Sequence, residues 1–124
     1  MVGALMSQPA PAAAGPVNWI EVEPTAAGRQ WWDSGSLHTS RNGLLSVLSR
    51  FQPAQTSADT DQSAGSQRPG ELYVMEIDCG QRLYRDTSVN GLPRWGAEWQ
   101  ADAGDGLIAE VIAASCTAAG LQPT

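Results

Sequence analysis

The groups that could do chemistry in this chain are few, and their spacing limits what each could do. The single histidine, His38, lies in Ser-Leu-His-Thr-Ser beside Ser36 and Ser40. A hydrolase triad can be drawn from it, but the Gly-x-Ser-x-Gly elbow is missing, and a solvated turn histidine is the plainer reading. Two cysteines, Cys79 and Cys116, stand 37 positions apart without Cys-x-x-Cys spacing. With one histidine they cannot complete a four-ligand structural zinc site. They read as a disulfide in an exported small domain, or remotely as half of a thiol–histidine pair. The run Asp102-x-x-Asp105-Gly lacks the oxygen-ligand spacing of a calcium loop, and helix capping accounts for it better. No catalytic residue, metal site or cofactor is expected.

Binding residues are better supplied. Trp31 and Trp32 are adjacent, so in a strand they point to opposite faces. One can enter a core; the other needs a loop over it or serves as an exposed anchor for a protein or glycan. Asp78, Arg82 and Arg85 bracket a turn. They suggest either an Asp78–Arg82 ion pair across a hairpin or an anion site on Arg82 and Arg85.

Composition sets the frame for these groups. A chain of 124 residues has room for one core, and 42 % apolar residues exclude wholesale disorder. No stretch approaches the roughly 20 apolar residues of a membrane-spanning helix. Every basic residue is arginine, and the net charge of −6 argues against nucleic acid or anionic lipid as partner. Residues 1–15 carry no charge and end in Ala12-Ala13-Ala14-Gly15. They read as a disordered Ala/Pro tail or as the stump of a signal peptide whose true start lies upstream.

The alternation of apolar and polar residues predicts the elements that position the candidates. Strands are expected over Trp19–Glu23, Gln30–Leu37, Gly43–Phe51 (where a helix also fits), Glu71–Cys79, Arg82–Val89 and Arg94–Gln100. In the fourth, Tyr73, Met75, Ile77 and Cys79 form the core side. Gly80-Gln81 and Asn90-Gly91 read as turns. The stretch 52–70 reads as a flexible surface loop, and 121–124 as a tail, leaving a single domain over 16–120. A final helix, capped by Asp102 or Asp105 and ended by Gly120, aligns Ile108, Ile112 and Cys116 on one face. That face brings Cys116 to the interior that Cys79 also enters. The expected fold is α+β: an antiparallel sheet with one C-terminal helix tied across it by a disulfide. Four of the five tryptophans are expected as core fillers.

The run Tyr73-Val74-Met75-Glu76-Ile77-Asp78-Cys79-Gly80-Gln81-Arg82-Leu83-Tyr84-Arg85 resembles the Asp-Cys-x-x-Arg-x-Tyr-Arg segment of the surface-adhesin protein E-like family. Trp19, Trp32-Asp33, Trp95 or Trp99, and Cys116 resemble its flanking features, with Trp-Trp-Asp in place of the usual Tyr-Asp. The resemblance implies an exported bacterial domain with about six antiparallel strands and a C-terminal helix held by a disulfide. The binding activity of the family's namesake has no matching residues here and is not carried over.

Three functions follow in order. The first is a non-catalytic exported module of the periplasm or envelope that binds a protein or envelope component, marked by an apolar patch at a paired tryptophan or by an open sheet edge. The second is a small-ligand binder with a sheet–helix pocket lined by Trp95 or Trp99. The third, a small hydrolase or thiol enzyme, requires a free cysteine.

Overall fold

The computed structural model describes residues 16–54 and 71–121. The expectations for 1–15, for most of the 52–70 loop and for the last residues lie outside them. Among the described residues, strands β1 (Trp19–Glu21), β2 (Gly28–Asp33), β3 (His38–Thr39), β4 (Leu45–Pro53), β5 (Glu71–Asp78), β6 (Leu83–Val89) and β7 (Leu92–Pro93) form one antiparallel sheet. Its order is β1-β2-β4-β5-β6-β7, with β3 also paired to β4. Helix α1 (Gly106–Ala118) follows. No described helix is long and apolar enough to cross a membrane.

The period-two pattern decides which side of the sheet is buried. Leu45 and Val47 of β4 face Ile77 and Met75 of β5 across the ladder, and all four are buried. Against them α1 lays Leu107, Val111, Ile112 and Cys116. The segment open to either helix or strand is therefore β4, and it runs to Pro53, so Gln52 and Pro53 belong to strand rather than loop.

The helix boundaries follow local chemistry. The Asp105 carboxylate accepts the Leu107 and Ile108 N–H groups at 3.0 and 3.2 Å, satisfying donors that the first turn leaves unpaired. Asp102 accepts the Gly104 N–H at 3.0 Å instead and shapes the turn before the helix. At the other end Gly120 takes a positive φ of 78°. Its N–H and that of Leu121 return to the carbonyls of Thr117 and Cys116, closing the helix.

Cys79 and Cys116 are joined, with Cα atoms 5.9 Å apart, and the bond ties the end of β5 to the last turn of α1. Neither is a free thiol.

Three local expectations change. The strand expected over Arg94–Gln100 is replaced by β7 and two outlying contacts along β6. The Arg94 N–H reaches the Thr87 carbonyl, and Gln100 exchanges two bonds with Tyr84. Between them a turn closes from the Ala97 N–H to the Arg94 carbonyl at 3.3 Å, with Gly96 at φ 83°. Only glycine takes that conformation without cost, so the alternation of Trp95, Ala97 and Trp99 never becomes a buried face. Trp95 is 88 % exposed.

The turn at Gly80-Gln81 is also longer than expected. It spans 79–82, and Arg82 rather than glycine adopts the left-handed backbone, at φ 57°. The Asp78 carboxylate holds it by accepting the Gln81 backbone and side-chain N–H groups at 3.2 and 3.0 Å.

Finally, the strand expected over Gln30–Leu37 breaks after Asp33. Asp33, 1 % exposed, accepts the N–H groups of Asn18 at 2.7 Å and Gly35 at 2.9 Å. Ser36 Oγ accepts the Leu48 N–H at 3.1 Å, a donor that the broken ladder would otherwise orphan. The incoming chain passes so close that a Cβ on Gly35 would lie 1.9 Å from the Pro16 carbonyl oxygen.

Closing the loop between the cysteines stabilises a chain by about 4 kcal/mol in the chain-entropy model. Replacing both cysteines by alanine is expected to lower unfolding free energy by about that amount in urea melts. An unchanged denaturation midpoint would show that the bond does not hold helix to sheet.

Candidate functional site

With α1 on one face, the register places a second set of side chains on the opposite face, which carries no helix among the described residues and is called the helix-free face below. Glu21, Trp31, Arg50 and Leu72 form one row across β1, β2, β4 and β5. Leu48 and Val74 form the next, and Ser46, Glu76 and Arg85 a third. The alternation of β2 thus divides the two adjacent tryptophans. Trp32 is 4 % exposed and lies in the core, whereas Trp31 is half-buried on the other face.

Trp31 is held by two cations. The Arg29 guanidinium lies 4.9 Å and the Arg50 guanidinium 4.8 Å from its ring centroid. A guanidinium stacked on an indole keeps its in-plane N–H donors available. Arg29 gives two of them to Glu21, Nε to Oε2 at 2.8 Å and Nη2 to Oε1 at 2.9 Å. This fork holds the Glu21 carboxyl below its ordinary pKa and raises that of Arg29. Among the described residues no carboxylate pairs with Arg50.

A second stack stands on the same face. Arg85 lies 4.4 Å from the Trp99 ring and bonds Glu76 Oε1 through Nε at 2.8 Å and Nη2 at 2.7 Å. Arg85 is thereby occupied. Arg82 sits on the 79–82 turn, and no described contact joins it to Arg85 or Asp78.

The other candidates are placed as plainly. His38 is exposed, with Nδ1 3.1 Å from the Ser36 carbonyl. The Ser36 hydroxyl is spent on the Asp33 carbonyl and the Leu48 N–H, and Ser40 Oγ accepts from Asn42 and Leu44. No nucleophile–base pair forms from them. Trp95 points into solvent and Trp99 lies on Arg85, so neither lines a sheet–helix pocket. A cleft of about 350 Å³ lies instead at the far ends of β2 and β4, lined by Pro24, Thr25, Gly28, Arg29, Gln52 and Pro53.

The expectation of four core tryptophans is therefore corrected. Trp32 alone is fully buried, and three arginines hold two of the others on the helix-free face. Sequence reasoning named Trp31 but missed Arg29 and Arg50. The usable signal was parity: Arg29 lies two residues from Trp31 on the same strand, and only the β2–β4 register brings in Arg50.

A model described as the surface adhesin-E family matches residues 20–122. The chain belongs to that family. No curated protein and no solved structure matches it. Membership makes this adhesin-E family protein an adhesin-like surface module, exported or surface-exposed.

On the opposite face the margin beside α1 is acidic. Asp86 lies across from buried Met75, and burial raises its pKa against the opposing pull of Arg94. Burial and nearby carboxylates also raise the hydroxyls of Tyr73, bonded to Glu71, and Tyr84. Because the folded-state pKa of Asp86 lies above the unfolded one, folding binds a proton in the window above the ordinary carboxylate value. The charged form therefore subtracts stability at neutral pH, and that penalty fades as pH falls through the folded pKa. Asp86→Asn is expected to raise the Tm at pH 7, with the gain shrinking towards pH 4. A gain of equal size at both pH values would contradict this origin.

Proposed function

We propose that this protein is a non-catalytic, exported binding module of the periplasm or cell envelope, and that the helix-free face of its sheet is the binding face. The observation that carries the reading is Trp31, a partly buried indole fixed on that face by Arg29 and Arg50 beside Leu48, Leu72 and Val74. A rigid aromatic gives contact area at small entropic cost, which is why tryptophan and arginine are enriched where partners bind. The cysteines are engaged in the disulfide, so neither serves as a thiol nucleophile. Small-ligand binding in the cleft at the β2 and β4 ends remains a second reading, with no tryptophan in its lining.

The test is retention of native envelope components by the immobilised domain, compared with two variants. Trp32→Ala is expected to cost about 3–5 kcal/mol through loss of core packing. Trp31→Ala is expected to cost less, about 1–2 kcal/mol for its two cation–π contacts, and to lose the retained component. Equal destabilisation by both changes, or full retention by Trp31→Ala, would sink the proposal.

A further inference from the structure

The helix-free face carries an imbalance that narrows its partner. Of the three arginines that the described residues place on it, two are neutralised on the spot, Arg29 by Glu21 and Arg85 by Glu76. The third, Arg50, is stacked on Trp31 and meets no carboxylate among the described residues. A guanidinium held over an indole gives up rotamer freedom to that contact. Its N–H fork matches the planar geometry of a carboxylate.

The surroundings of Arg50 then distinguish among anions. Two guanidinium groups already lie over the Trp31 ring, so that ring is a poor platform for stacking a sugar. Beside Arg50 on the same face stand Leu72, its direct cross-strand partner, and the Leu48–Val74 pair one pleat along. Leu72 is 37 % exposed, and Leu48 and Val74 are half-buried. Aliphatic surface of this kind fits an aliphatic side chain. Same-face positions in a strand are roughly 7 Å apart, which is also the repeat of alternate residues in an extended peptide.

Deepening the binding-face reading above, on which it rests, we propose that this face docks an extended acidic peptide segment. Its carboxylate pairs with Arg50 on the Trp31 pedestal, and an aliphatic side chain two positions away lies on Leu48, Leu72 and Val74. The partner is a protein with an exposed segment in which Asp or Glu alternates with Leu, Ile or Val. The net charge of −6 gives no general attraction for such a segment, so recognition is local to Arg50.

Selection from a phage-displayed random peptide library on the full-length protein tests this. The expected winners carry an acidic residue two positions from an aliphatic one. A synthesised winner is expected to bind about tenfold or more weakly to Arg50→Gln, since a hydrogen bond to a charged group is lost. It should also weaken with Asn or Gln in place of the peptide's acid, and as salt rises. Leu72→Glu, at an exposed position, is expected to abolish binding by repulsion and serves if Arg50→Gln lowers the Tm. The proposal is overturned if no sequence is enriched over the Arg50→Gln protein. It is equally overturned if the winners lack acids, if Leu72→Glu binds normally, or if an acidic polysaccharide or anionic lipid vesicle binds more tightly than the peptide. Retention of an envelope component that depends on Trp31 but not on Arg50 would leave the binding face standing and remove only the acidic-peptide inference.

Discussion

One thirteen-residue helix is all that covers a seven-stranded sheet among the described residues, and the Cys79–Cys116 bond fixes where it lies. That constraint orders the rest of the molecule. The helix is long enough to close one face, so apolar residues on that parity, Leu45, Val47, Met75 and Ile77, become the core. Residues of the other parity meet no helix among the described residues. A small domain has little core to spare, and a covalent tie between its two layers limits how far they can part in the unfolded chain.

The helix-free face meets its exposure with arginine. Arg29, Arg50 and Arg85 each lie over an indole, covering apolar area with a weakly hydrated plane while keeping polar edges outward. Lysine, a compact and strongly hydrated charge, does this less well. The absence of lysine, puzzling as composition, has a local reason at these three positions. For the remaining arginines the structure supplies none.

The core also holds polar groups. Gln30 donates to Ser49 at 2.9 Å, and Ser49 donates to the Trp31 carbonyl at 3.0 Å, so a buried amide is tied to the strand that carries Trp31. The Trp32 indole N–H has no partner among the described residues, a cost accepted for the volume that the ring fills. Asp33 joins the incoming chain to the break between β2 and β3 through two backbone N–H groups. These contacts hold Trp31 and Trp32 in register, and the register decides which indole meets solvent.

Much was legible in the sequence because it is local. Strict alternation in Glu71–Asp78, the capping aspartate, the terminating glycine and a cysteine on the apolar stripe of the helix each follow from neighbours within a few residues. Together they determined an antiparallel sheet, one helix and the disulfide between them. Trp95 and Trp99 were misread because alternation says nothing of a glycine at positive φ lifting the chain from its neighbour. Arg29 and Arg50 went unseen around Trp31 because the pairing of β2 with β4 is not written in either strand alone. The sequence by itself determined which residues alternate and where the helix starts and stops, since backbone geometry and hydrophobic period act at short range. Only the tertiary structure decided which of the paired tryptophans leaves the core and which arginine over Trp31 meets no carboxylate among the described residues, because both depend on cross-strand register and on which face a single helix can cover.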